Sequence, residues 1–269
     1  MGNISYEPII KDMTWSYSRV KAFDMCPYGW YLKYIQKIRG KDMFFSSYGS
    51  FVHKLLEQYY KGELAKNQLL YSYLTEFRTN VTARAPSPAI FKSYFQSGLD
   101  YFKNFERLPY EIRGIEEKIE GNIGGVKFTG VIDCRAEDDK GILIIDNKSR
   151  KLKPRSGRKK PLKSDEELDQ YLIQLYLYAY LAEVNYEMPV SCLGFNCFRC
   201  SPPLIIEPYV QERADLAVRW LVDNVARITK ETEFCPDMDE FKCKNLCDVH
   251  DHCEYFQMTW GDKNSRRNS

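Results

Sequence analysis

The chain has 269 residues, 44% of them hydrophobic and 14% aromatic, including 20 Tyr. This supports a folded core and excludes a disordered chain, and the length fits one α/β domain with insertions or a small appendage. A formal net charge of +2 excludes a uniformly basic nucleic-acid binder but leaves room for a local basic patch.

Residues 1–15 read as an irregular lead-in. Ser16 or Ser18 is placed to cap a short helix to about Met25, and Cys26-Pro27 breaks it before a helical aromatic stretch at Tyr28–Gln36. Ser46–Leu64 puts Phe51, Leu55, Leu56, Tyr59 and Tyr60 on one helical face, and further helices are predicted at about Asn67–Val81 and Pro88–Arg107. The pattern then changes. Arg113–Asn122, Val126–Arg135 and Gly141–Ser149 read as strands, with turns at Gly124-Gly125 and Glu137–Gly141. The segment Asn147–Lys163 holds nine Lys or Arg and no acid. Ser164–Glu167 has the form of a capping box and opens a helix to about Val184. Strands at Pro189–Cys200 and Leu204–Val210 flank Ser201-Pro202-Pro203. A helix at about Gln211–Lys230 precedes a Cys-rich tail, and the closing KNSRRNS reads as frayed. There is no internal repeat.

No apolar run reaches the roughly 18 residues of a transmembrane helix. The N-terminus lacks the pattern of an export signal, and Tyr6 stands where a myristoylation motif needs Ser or Thr. A reducing cytoplasmic setting is therefore expected, in which nine Cys read as metal ligands or buried thiols.

Asp133 stands at the end of FTGVID, and Asp146 and Lys148 lie two apart on GILIIDNKS, hence on one face of a strand. The apolar run Ile142–Ile145 predicts a strand buried on both faces. Charges at its end then cost several kcal/mol unless paired or metal-bound. Two carboxylates suit Mg²⁺ or Mn²⁺, and Lys148 would stand beside a water that attacks a phosphodiester. An isolated D-x-K is common and by itself reads as a surface ion pair. His53 falls among apolar residues on its helix, where a lone His is more often a core or boundary residue, and the Tyr of YLIQLYLYAYL read as ordinary packing. Gln174 interrupts that apolar stretch and shares a face with Tyr178. Glu117 is a supporting candidate on the preceding strand, with Glu116 and Glu120 as neighbours that compete for the role.

Several distant segments agree with one family. SYSRVKAFDMCPYGWYLKYI, YGSFVHKLLE, FTGVID, IIDNKS and QLYLY, in that order, resemble the RecB-like branch of the PD-(D/E)XK nucleases. The resemblance implies an α/β fold: a central mixed β-sheet flanked by helices, a restriction-endonuclease-like core, with an N-terminal helical region (16–110), a catalytic core (111–210) and a C-terminal Cys-rich segment (231–256). It implies His53, Asp133, Asp146 and the backbone carbonyl of Asn147 as metal ligands, Lys148 as the catalytic lysine, and Gln174 and Tyr178 as its Q-x-x-x-Y helix. Ile132 stands where the family name has Pro.

Cys26 and the tail Cys243, Cys247 and Cys253 form a four-thiol set able to hold Zn²⁺ or a 4Fe–4S cluster, and His250 and His252 add zinc ligands to the choice. A subset of RecB-like nucleases, including AddB-type helicase–nucleases and CRISPR-adaptation nucleases, places one Cys before the His motif and three near the end. That resemblance implies a 4Fe–4S cluster. The C-x3-C at 243–247 departs from the subset's usual C-x2-C, which keeps Cys235 open as a substitute. Cys197 and Cys200 form a C-x2-C with no second pair, and read with Cys134 and Cys192 as buried thiols.

The basic loop follows the catalytic lysine. Arg150, Lys151, Arg155, Arg158, Lys159 and Lys160 are expected to lie over the cleft and contact DNA phosphates, against the alternative of a solvated loop. No phosphate-binding P-loop is present, so ATP-driven unwinding is not expected from this chain. The expected function is a Mg- or Mn-dependent deoxyribonuclease, with exonuclease action on single-stranded or duplex ends in recombination, repair or phage DNA processing. The competing function is a non-catalytic DNA-binding or interaction protein stabilised by a Cys-ligated zinc or iron–sulfur site.

Overall fold

The computed structural model describes residues 5–261. The first four residues of the lead-in and the end expected to fray lie outside the described residues.

The lead-in is not wholly irregular: α1 (Glu7–Lys11) forms there, with Pro8 in its first turn. The chain then runs alongside the sheet. Trp15 N donates to Lys127 O, and Trp15 O accepts from Thr129 N, both at 2.8 Å. α2 (Tyr17–Met25) is capped by Ser16, whose Oγ accepts from Arg19 N at 3.2 Å. Cys26 ends α2 and caps α3 (Pro27–Trp30), since Pro27 lacks an N–H for the old helix but suits the first turn of the new one. A π-helical turn at Tyr31–Ile35 extends it.

α4 (Phe44–Tyr60), α5 (Lys66–Asn80) and α6 (Pro88–Lys103) share an aromatic core around Phe51, Tyr73 and Phe77. Each is at most 2% exposed, and such burial stabilises by about 1.5–3 kcal/mol per side chain. α6 ends earlier than its sequence pattern predicts, because Phe105 and Leu108 leave the helix to fill core positions.

The sheet is mixed, in the order β1-β2-β3-β4-β5. β1 (Glu111–Ile123), β2 (Val126–Asp138) and β3 (Gly141–Lys148) are antiparallel neighbours, β3 and β4 (Val190–Cys197) are parallel, and β5 (Leu204–Pro208) closes antiparallel. A parallel pair needs a long crossover, here supplied by α7 (Lys163–Tyr186), which packs across β1, β3 and β4. The helix starts one residue before the expected Ser164, with Asp165 accepting from Leu162 N at 2.8 Å. α8 (Gln211–Thr229) lies against α7.

The tail forms α9 (Glu240–Asn245), a 3-10 turn at His250–His252 and α10 (Glu254–Trp260). It returns to the N-terminal helices. Tyr28 Oη donates to Glu254 at 3.0 Å, Lys33 pairs with Asp248, and Leu32, Cys247, Val249 and Cys253 share a small buried cluster.

Candidate active site

The cleft arises where two strands part. β2 pairs with β3 only from Cys134 to Asp138, so Asp133 is not the strand's end but the last residue before the fork. Beyond it, Trp15 takes the place β3 would have occupied. Asp133 Oδ2 accepts from Asn147 N at 2.7 Å, which draws its carboxylate toward the end of β3. Asp146 and Lys148 face the same cleft, with Lys148 Nζ 2.8 Å from Asp146 Oδ2.

From α4, His53 Nε2 lies 2.9 Å from Asn147 O. A carbonyl only accepts, so Nε2 carries the proton and Nδ1 is left with its lone pair. That lone pair points at two carboxylates: Asp133 Oδ2 at 3.4 Å and Glu116 Oε1 at 3.9 Å. Such a cluster of electron-rich atoms repels itself unless a cation lies among them. Among the described residues, His53, Glu116 and Asp133 are the group of three ligating side chains with donor atoms within 4.8 Å of one another. Asp146 faces the same cleft as Asp133 and is not one of this group of three. Its Oδ2 is buried and without a hydrogen bond, with the Lys148 ammonium as its ion-pair partner. A buried oxygen left with an open acceptor position fits a divalent cation of oxygen preference.

The electrostatics agree. Burial raises the Asp133 carboxyl well above its ordinary value, and the Asp146 charge adds to it. Glu116 is raised by burial and by Glu57 and Asp146. Burial lowers His53 and keeps the imidazole neutral. Burial opposes the Lys148 charge, but Asp146 and Asp133 outweigh it and the ammonium is held more firmly than usual.

Gln174 locks this arrangement from α7. Its Oε1 accepts from Lys148 Nζ at 2.9 Å, while its Nε2 reaches Asp146 Oδ1 at 3.0 Å and Tyr178 Oη at 3.1 Å. Tyr178 lies over Gly130 of β2: a Cβ at Gly130 would come 2.3 Å from Tyr178 Cε1. The spacing of Gln174 and Tyr178 in the sequence thus corresponds to one hydrogen-bonded unit.

Of three further residues at the site, Glu116 is only a competing candidate in the sequence, and Asn196 and Tyr171 are not singled out there. Glu116, not Glu117, faces the cleft. Glu117 turns away to Arg135, with Nε to Oε2 at 2.7 Å, and the strand is irregular between Ile112 and Gly114, with Glu116 at φ 52°. A plain alternation of faces cannot reveal that shift. Asn196, 3% exposed on β4, donates to Asn147 Oδ1 at 2.7 Å and to Tyr101 Oη at 2.8 Å. Tyr171 lies one helical turn before Gln174, its ring 5.7 Å from Lys148 Nζ.

None of the six candidate residues of the basic loop lines the cleft, although Arg150 Cζ lies 5.8 Å from the same Tyr171 ring that Lys148 approaches. Arg155 is withdrawn into an acidic nest, 2.6 Å from Asp169 Oδ1 and 2.7 Å from Glu207 Oε2. Ser156 N and Oγ both donate to Asp165, which holds that carboxyl at about 2. Arg150 pairs with Glu167. Lys151, Arg158, Lys159 and Lys160 are exposed.

Cys26, Cys243, Cys247 and Cys253 line one small apolar pocket together with Gly29 and His250. Cys26 Sγ accepts from Gly29 N at 3.3 Å and Asp237 N at 3.4 Å. Cys235 is exposed and does not line the pocket. His250 Nδ1 donates to Cys247 O and His252 is exposed. Cys134 is buried as expected, whereas Cys192 and Cys200 are only partly so. Among the described residues no helix is long and apolar enough to cross a membrane.

The chain resembles known proteins over most of its length. A crystal structure of a protein from Eubacterium rectale, described as a "putative exonuclease", superposes with a TM-score of 0.53 at 17% identity, covering 96% of each chain. An uncharacterized protein of Rickettsia bellii is 30% identical over a stretch covering 46% of this chain, and this chain spans only 17% of that protein's length. The model of the PD-(D/E)XK nuclease superfamily matches residues 14–254, from the strand-like Trp15 through the last tail cysteine, and the chain belongs to that superfamily.

Proposed function

We propose that the chain is a divalent-metal-dependent deoxyribonuclease of the RecB-like branch, acting as an exonuclease on single-stranded or duplex DNA ends in the cytoplasm, in recombination, repair or phage DNA processing. It is a single nuclease domain, with a helical region at 16–110, a catalytic core at 111–210 and an iron–sulfur segment at 231–256 closing onto Cys26. The observation that carries it is the buried, unbonded Asp146 Oδ2 beside the Lys148 ammonium, one residue from the Asn147 that ties His53 to Asp133.

His53, Glu116, Asp133 and Asp146 would hold Mg²⁺ or Mn²⁺, with the Asn147 carbonyl shared between His53 and the ion. A bound ion there supplies Lewis acidity toward the phosphodiester and lowers the pKa of water. Gln174 and Asp146 hold the Lys148 Nζ at the cleft, where its ammonium orients an attacking water and offsets charge on the phosphate oxygens. Tyr178 fixes Gln174. Arg150, Lys151, Arg158, Lys159 and Lys160 meet the DNA backbone outside the cleft. The exonuclease description of the Eubacterium rectale protein supports action at ends.

A 4Fe–4S cluster is favoured over Zn²⁺ in the thiol pocket. A tetrahedral zinc with Zn–S of about 2.3 Å needs sulfurs roughly 3.8 Å apart. Among the described residues no three of these thiols lie within 4.8 Å of one another, a spread that suits a larger cluster. Its role is structural, clipping the tail to α2 and α3.

The decisive assay compares wild type and Asp146→Ala on end-labelled linear and covalently closed circular DNA with Mg²⁺ or Mn²⁺. Wild type should degrade linear DNA only, and the variant should be slower by about 10²–10³-fold with unchanged circular dichroism. Intact linear DNA after incubation with wild type would refute the assignment.

A further inference from the structure

Cys197 and Cys200 take no part in the machinery above, yet they sit at its back. Cys197 is the last residue of β4, fully buried, in parallel register with Lys148. A tight turn follows, with Cys200 N donating to Cys197 O at 2.9 Å. Both side chains sit at that turn: Cys197 is buried, and Cys200 is only half-buried, its Sγ donating to Leu152 O at 3.4 Å. The neighbouring Cys197 thiol lowers the Cys200 thiol below its ordinary value, and Cys200 together with burial raises that of Cys197. One accessible, acidified sulfur beside one buried partner is the arrangement of an attacking and a resolving thiol.

The turn is also wired to the site. Phe198 N donates to Lys148 O at 3.2 Å, and the Phe198 ring, 1% exposed, stands edge-on to His53 at 6.1 Å between centroids. Asn196, just before Cys197, donates to Asn147 Oδ1. Three consecutive residues of this segment thus touch Asn147, Lys148 or His53.

We infer that Cys197 and Cys200 form a thiol-oxidation site for low-molecular-weight disulfides, and that bridging them slows the chemistry at Lys148. The second half rests on the nuclease assignment. The Cys200 thiolate attacks a disulfide RSSR, forming Cys200–S–SR and releasing RS⁻. The Cys197 sulfur then attacks the protein-side sulfur, its proton passing to the departing RS⁻. One protein disulfide forms, and one RSSR becomes two RSH. An S–S bond of about 2.05 Å is shorter than any non-bonded contact between two sulfurs, so closure draws the end of β4 toward Cys200. That movement displaces Phe198 and the backbone of Lys148.

The test incubates reduced protein with oxidised glutathione, removes the reagent, and reads peptide masses, nuclease rate and visible absorption. A 197–200 bridge, two hydrogens lighter, should form in wild type. The rate should drop by on the order of tenfold or more and recover with dithiothreitol, while the absorption holds. Cys200→Ser should form no bridge and keep its rate. Absence of the bridge, or a bridge with an unchanged rate, overturns the inference, as does equal inhibition of Cys200→Ser. If reduced wild type has no nuclease activity, the nuclease assignment fails, and the mass arm still decides the thiol site. Cys197→Ser, which should stop at the mixed disulfide with glutathione, gives a second reading should Cys200→Ser fold poorly.

Discussion

Lys148 and Gln174 are joined by a 2.9 Å hydrogen bond, ammonium to amide oxygen, across 26 residues of chain. The other end of the same amide holds Asp146, so one side chain sets the distance between the two members of the D-x-K pair. Gln174→Leu should lower kcat on DNA by on the order of 10–100-fold with little change in KM, because it misplaces the ammonium without removing it. Steady-state kinetics beside a melting curve check this. A fall confined to KM would contradict it.

Gly130→Ala forces a methyl group into the Tyr178 ring. Overpacking of this kind costs about 1–3 kcal/mol, and the shifted Tyr178 should carry Gln174 with it. Thermal unfolding and nuclease rate should therefore fall together. A variant as stable and active as wild type would show that β2 yields there.

The basic loop divides into two parts. Arg158, Lys159 and Lys160 are exposed, and their triple alanine variant should weaken DNA binding. It should also flatten the salt dependence, by about one unit of slope for each phosphate no longer neutralised. Arg155→Ala should instead destabilise the fold by about 1–3 kcal/mol, since it leaves the buried Glu207 without its close charged donor, while Asp169 keeps Arg213. Binding titrations across salt and denaturant unfolding separate the two effects.

Iron and sulfide analysis addresses the thiol pocket. Cys26→Ala should lose both, along with the visible absorption, whereas Cys235→Ala should keep them. Stoichiometric zinc in wild type would replace iron in the assignment.

Removal of divalent metal should make stability depend on pH in a definite direction. Asp133 and Glu116 have carboxyls raised in the folded state. Their favourable contribution is complete below the ordinary carboxylate value of about 4 and is lost as pH rises through the raised values. Metal-free protein should therefore melt lower at neutral pH than at mildly acidic pH, and added Mg²⁺ or Mn²⁺ should restore stability most at the higher pH. Chelated melting scans against pH check it, and a stability that rises toward neutral pH without metal would contradict it.

Much of the site was visible in the linear chain because local chemistry dictates it. Ile142–Ile145 reads as a strand buried on both faces, and all four residues are at most 1% exposed. Asp146 and Lys148 share a face through the two-residue period of that strand, and Gln174 and Tyr178 through one helical turn. Cys26-Pro27 reads as a break between helices and is one. Periodicity, capping and breakers act over a few residues, so the sequence by itself determined the order of elements and the spacing of these pairs. Only the tertiary structure decided between Glu116 and Glu117, because an irregularity in β1 changes which side chain faces Asp133. It also drew Arg155 out of the basic run toward Asp169 and Glu207, and kept Cys235 out of the thiol pocket. Those outcomes depend on partners brought together by strand register and packing over long stretches of chain, where no local period carries the information.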